Sequence, residues 1–283
     1  MKYLKPSLLL LSSLALSGVD AKAIPMVDLR SASSFTILAG SKITDAGGAS
    51  TTTGDVGLSP ASGSFIGLTA AQAGGTIYAT DAAGPLGSVN NPALLTAAKN
   101  DLTTAYINAA GRSASTTYSP IFDLVGLTLT SGVYNDPSSF GLTGTLTLDA
   151  GGDPNAVWIF QTGSTLTTAS GSKVVFKDGV GSACNVFWQV GSSATIGTYS
   201  DFVGNIMADQ SIALEAYATL DGSALARIGA VTLDHNTISM SDCGVPSAVP
   251  DNASTLLLLG FGLATLLTFG RSVAMGSGRV SCS

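Results

Sequence analysis

The chain has 283 residues, enough for one large domain or two small ones, with 45% hydrophobic and only 11% charged side chains, against roughly 25% charged in ordinary soluble domains. A formal net charge of −6 and 12 scattered Lys and Arg residues exclude the basic footprint that nucleic-acid binding requires. The 34 glycines and short apolar runs point instead to many turns and many short strands.

Residues 1–23 read as a secretory signal peptide. Lys2 and Lys5 supply the basic start, Leu8 to Leu16 the apolar stretch, and Ala21-Lys22-Ala23 the small-residue cleavage site. A buried helix is the alternative, but it would not require all three parts in this order. The mature chain is therefore expected outside the cytoplasm, secreted or anchored at the cell surface.

One stretch of the following domain, residues 24–243, has helical periodicity. In NPALLTAAKNDLTTAYINAAGR, Leu95, Ala98, Leu102, Ala105, Tyr106 and Ala109 recur at helical spacing. Asn91-Pro92 suits a cap and first turn, and Gly111 suits an exit, so a helix is predicted over about 92–110.

Almost everything after it alternates with period two. Short units begin at Thr145 (TLTL), Thr165 (TLTT), Ser193 (SATI), Ser211 (SIAL) and Ala230 (AVTL), at intervals of 20, 28, 18 and 19 residues. The long interval holds KDGVGSAC, a Gly-rich insertion that suits a loop. A period near twenty with one strand per unit is the signature of a β-solenoid, whose coils share one core. An antiparallel sandwich could use the same alternation without needing the near-constant spacing. Side chains alternate along a strand. Leu146, Leu166, Ala194, Ile212 and Val231 are thus predicted as one inward column. Thr145, Thr165, Ser193, Ser211 and Ala230 form one outward column, and Thr147, Thr167, Thr195, Ala213 and Thr232 another. The predicted fold is all-β dominated.

Cys184 and Cys243 lie in the mature region, whereas Cys282 sits beyond a second apolar segment. One Cys184–Cys243 disulfide is compatible with this placement, though spacing does not establish it. Residues 244–252 form a Pro-containing linker. Residues 253–271 are free of charge up to Arg271 and just long enough to span a bilayer, with a buried core helix as the alternative. Residues 272–283 form a short tail. The stretch VPDNASTLLLLGFGLATLLTFGR resembles a C-terminal sorting tail of the PEP-CTERM type, which implies membrane association if it is retained.

The residues offer little catalytic chemistry. His235, the single histidine, follows Asp234, and neighbours on a strand face opposite ways, so a surface position suits it better than a dyad. No Cys/His spacing fits zinc. Asp149 and Asp153 in LDAGGDPN read as turn residues rather than a calcium site. The two outward columns are more informative. Strands about 4.8 Å apart would set Thr and Ser methyls and hydroxyls in a flat, regular lattice with few charges. Such a lattice can order water at crystal-like spacing.

Several stretches together carry a family resemblance: FTILAGSKIT, TTTGDVGLSP, LTAAKNDLTTAYINAAGR, LTLTSGVY, LTGTLTLDAGGDPNAVWIFQTGSTLTT, CNVFWQVGSSATIGTYSDFVGNIMA and ALARIGAVTLDHNTIS. In this order they resemble the DUF3494-type ice-binding proteins over about residues 34–239. The resemblance implies a discontinuous right-handed β-solenoid with one long helix packed alongside; the sparse chemistry of the residues themselves predicts no cofactor, no metal and no enzyme activity. The resemblance further implies a monomeric domain whose partner is the ice crystal surface. The family's loose T-A/G-x-T/N pattern falls on Thr162-Gly163-Ser164-Thr165. The candidate ice-binding residues are therefore Thr145, Thr147, Thr162, Thr165, Thr167, Ser193, Thr195 and Thr232. The competing expectation is a structural or adhesive surface solenoid that binds polysaccharide or neighbouring cells. Exposed aromatic residues would favour it, whereas Trp158 and Trp188 lie in strands expected to be buried.

Overall fold

A computed structural model describes residues 24–240. The signal peptide, Cys243, the linker, the apolar segment and the tail all lie outside the described residues. Each regular coil carries three short strands, one for each of three parallel sheets: Val186–Val190, Ala194–Ile196 and Asp201–Val203 make one coil, and Asn205–Ala208, Ile212–Leu214 and Thr219–Asp221 the next. Sheet 1 has ten strands, sheets 2 and 3 seven each. The chain is a β-solenoid.

Its coils do not stack in chain order. Phe35–Ala39 pairs with Ala224–Ala226 on one side and with Asp55–Leu58 on the other. The coil at 35–52 thus lies on the last coil, pairing Ile43 with Val231 and Thr51 with Thr237. Helix α1, Pro92–Ala110, runs along sheet 1 and delivers the chain toward the opposite end, where Thr116–Thr117 begins the other stack. Its bounds are those the sequence predicts. Asn91 caps it by accepting from the Leu94 amide at 3.1 Å, and Pro92 occupies its first turn.

Two cores follow from this layout. Inside the coils, Phe160 stacks on Trp188 at 4.0 Å and Trp188 meets Phe202 at 4.9 Å. Both tryptophans are buried with their indole N–H groups donating to the Leu129 and Val203 carbonyls at 3.0 and 2.9 Å. The second core lies between sheet 1 and α1. There Leu95, Ala98, Leu102 and Ala105 pack with Leu38, Ile159, Phe187 and Met207. Sheet 1 is therefore covered on both faces, and strands such as Val186–Val190 are buried at every position, the polar Gln189 included.

Polar ties fix the helix in place. Gln161 donates to the Ala109 and Arg112 carbonyls at 2.7 and 2.8 Å, satisfying acceptors at the helix end. Lys99 donates to the Ala226 and Arg227 carbonyls at 2.7 and 2.6 Å. Burial, reinforced by the Arg227 guanidinium, pushes Lys99 down from 10.5 to about 7.

Three sequence expectations need correction. Leu146 is buried, but it pairs with Val174 in sheet 3, whereas Leu166 pairs with Ala194 in sheet 2. The TLTL run at 145 has the right alternation on a different face, because all three sheets share period two. Thr145 and Thr147 consequently leave the columns predicted for them. His235 and Asp234 do meet, at 2.6 Å, because His235 sits in a turn at φ 54° rather than on a strand.

Candidate hydroxyl face

The outer surfaces of the three sheets differ in what they offer solvent. Sheet 1 is covered by α1. Sheet 3 is ionic: Lys173 bridges to Asp201, which also accepts from Thr219, and Lys177 pairs with Asp149 at 2.7 Å. The hydrogen bond from Lys173 holds the Asp201 carboxyl below its ordinary range, and that from Lys177 does the same for Asp149. Both acids are thus charged at any ordinary pH and bind their own hydration water. Asp149 also accepts from the Gly151 amide and Asp153 from the Asn155 amide, which makes both of them turn residues.

Sheet 2 is different. Its inward column is Phe140, Leu166, Ala194, Ile212, Val231 and Ile43. The outward residue one step along gives Gly141, Thr167, Thr195, Ala213, Thr232 and Thr44 in succession. The hydroxyls of Thr167, Thr195, Thr232 and Thr44 have no partner among the described residues. Strands in the sheet lie about 4.8 Å apart, so Thr167 and Thr195, like Thr232 and Thr44, stand one coil apart, and Ala213 leaves a two-coil gap between the pairs. A β-branched residue has few accessible χ1 wells, which keeps each methyl and hydroxyl in a repeated orientation. Charge enters this column only at Asp123, which pairs with Gly141 at one end.

A second outward line flanks the first. Thr165 donates to the Ser139 hydroxyl at 3.0 Å, Ser193 accepts from the Ser211 amide at 3.3 Å, and Ser211 accepts from the Ala230 amide at 3.1 Å. These side chains partly serve the corner between sheets 1 and 2, where they tie one coil to the next. Their oxygens are therefore less free than those of the central Thr column.

Of the eight predicted residues, the structure brings Thr165, Thr167, Ser193, Thr195 and Thr232 together on sheet 2. Thr145 and Thr147 lie on the ionic sheet 3. Thr162 is buried at the end of a sheet 1 strand, and its hydroxyl donates to the Ser138 carbonyl at 2.6 Å. It fits the local motif because the corner needs a side-chain donor there, and it presents nothing to solvent. Thr44 was missed. Only the pairing of Ile43 with Val231, far apart in sequence, places it in the column. Cys184 is disulfide-bonded, and the expected partner Cys243 is outside the described residues.

The corner between sheets 2 and 3 carries a feature that no single motif announces. Tyr199 and Tyr217 stack with ring centroids 5.1 Å apart and an interplanar angle of 5°, and His235 follows Tyr217 at 4.9 Å. All three have left-handed backbones, with φ of 56°, 60° and 54°, a conformation that costs non-glycine residues roughly 1–2 kcal/mol each. Tyr199 is 62% and Tyr217 48% exposed. Their spacing of eighteen residues, one coil each, is the signal that could have found them.

Comparison with known proteins gives consistent results. The profile of the family described as Ice-binding-like matches residues 37–239. An ice-binding protein from Nostoc sp. (strain HG1) is 44% identical over 252 residues, covering 88% of each chain. One from Colwellia sp is 38% identical over 233 residues, covering 82% of this chain and 90% of the relative. The crystal structure of an ice-binding protein from the Antarctic ascomycete Antarctomyces psychrotrophicus superposes with a TM-score of 0.67 at 37% identity, covering 77% of this chain and all of that one.

Proposed function

The chain belongs to the Ice-binding-like family, and on that premise we propose that it adsorbs to ice through the outer face of sheet 2, with no catalytic step. The observation that carries this reading is the line of Thr167, Thr195, Thr232 and Thr44 hydroxyls left without partners among the described residues. Each methyl keeps water from wandering over the surface, while each hydroxyl anchors one water of an ordered layer. The sheet is preformed, so docking sacrifices little conformational entropy. The crystal then grows only between bound molecules, where its curved front is harder to extend. Ala213 interrupts the column, and the unpartnered hydroxyls resume beyond it.

The protein works as a monomer outside the cytoplasm, exported by residues 1–23 and held at the cell surface if the apolar segment is retained. N-terminal sequencing of the exported protein should begin at Ile24. For ice binding itself, the purified protein is placed in a nanolitre osmometer. Faceted crystals that resist growth across a freezing gap support adsorption. Smooth discs that grow freely at high protein concentration refute it.

A further inference from the structure

The aromatic ladder stops abruptly. Beyond Tyr199 the same column carries Gly171, at φ 72°, and a side chain built there would meet nothing within 4 Å. The next coil also draws back: between the partners of Thr168 and Lys173 it has only Thr143 and Gly144. One face of the Tyr199 ring rests on Tyr217, no second ring stacks on it among the described residues, and the residue is 62% exposed, so we read its other face as open to solvent. We propose that this bare face is a stacking platform for one pyranose unit of an uncharged polysaccharide, a binding site separate from the hydroxyl face and independent of the ice reading.

The surroundings match that ligand. The axial C–H groups of a pyranose form a flat apolar patch that packs on an aromatic face, while its rim of hydroxyls needs polar partners. Thr198, beside the ring, has a hydroxyl with no partner among the described residues. Ser170, beside Gly171, donates to the Thr198 carbonyl at 2.9 Å and keeps its acceptor lone pairs. On the other flank the Lys173–Asp201 pair offers one donor and one acceptor group. Glu215 and Asp234 on the neighbouring coils, together with the net charge of −6, repel an acidic polymer and favour a neutral one. The ring is also held in a backbone conformation that glycine adopts freely at 171 and 48 in the same family of turns. The sequence thus keeps an exposed tyrosine where glycine would fold at least as easily.

The test titrates the full chain with cellohexaose and laminarihexaose, following the Tyr199 ring resonances by NMR. Saturable shifts with at least one of the two are expected. Tyr199→Gly relieves the backbone and removes the platform, so binding should weaken at least tenfold while ice shaping persists. Gly171→Asn tolerates the left-handed backbone and fills the space beneath the ring, so it should weaken binding equally with Tyr199 present. Failure of both sugars to bind, or binding unchanged in Tyr199→Gly, overturns the proposal. So does a Tyr199→Gly variant that loses ice shaping with no sugar bound by either protein, which would make the ladder an ice contact. A wild-type protein that binds sugar but does not shape ice would refute the ice reading alone.

Discussion

Thr195→Tyr separates the hydroxyl face from its rivals. Thr195 lies mid-column on sheet 2, between Thr167 and Ala213. The seven strands of sheet 2 span about 29 Å at about 4.8 Å per strand. A tyrosine at this point reaches roughly 5 Å beyond the threonine methyl, by simple addition of bond lengths. A rigid ice plane resting on such a post loses contact with its own coil and the coil on either side, at least three strands of the seven. Thermal hysteresis at equal molar concentration should fall to less than half. The fold should hardly notice, because tyrosine and threonine both suit strands and exposed substitutions stay within about 0.5 kcal/mol. The melting temperature should then move by no more than about 2 °C. Thr147→Tyr, on the ionic sheet 3, is the matched control and should keep full hysteresis. Undiminished hysteresis in Thr195→Tyr, or an equal loss in both variants, would refute the assignment of sheet 2.

Three further outcomes follow from the same structure. Ala213→Thr completes the column between Thr195 and Thr232 and should raise hysteresis above wild type without altering the melting temperature, as osmometry and circular dichroism would show. Leu102→Ala removes a buried side chain beneath α1 and should destabilise the protein by roughly 3 kcal/mol, about 6–12 °C in melting temperature. Its hysteresis per folded molecule should be unchanged, because sheet 2 is on another face. Lys99 sits at about 7 when folded against 10.5 ordinarily. Between those values the unfolded chain holds a proton that the folded chain has released, so this group makes stability rise with pH across the window, and its penalty is complete below about 7. In urea titrations at pH 6 and pH 9, wild type should gain more stability on going to pH 9 than Lys99→Met does; parallel behaviour would show that Lys99 does not titrate there.

How much of this was legible depended on how local the cause was. Helix α1 could be read to the residue, because Asn91, Pro92 and the apolar spacing from Leu95 to Ala109 act within a few turns of one another. The alternation of strands was equally plain. Which face a strand joins was not, since that depends on the residues spent in each corner. Two residues separate Leu142 from Thr145 and four separate Thr168 from Lys173, so a constant interval assigned Thr145 to the wrong sheet. Thr162 matched a motif but not a surface, because its hydroxyl is committed to Ser138. Thr44 and the Tyr199–Tyr217–His235 ladder depend on stacking between coils, which leaves no mark on any single stretch.

The out-of-order stacking of the coils sets a schedule for synthesis. Ile37 must wait for Ala224, a closure about 2 kcal/mol dearer in chain entropy than that of an eighteen-residue coil. Until residue 224 has emerged, the first strand has no partner on that side and its backbone amides are an unpaired edge, the kind of edge that recruits other chains. A nascent chain held extended during export would present the two late partners together and avoid that interval. The coil at 35–52 is then a keystone: it is made first, set last, and a chain interrupted before its final coil would have every early element present and nothing to lock them.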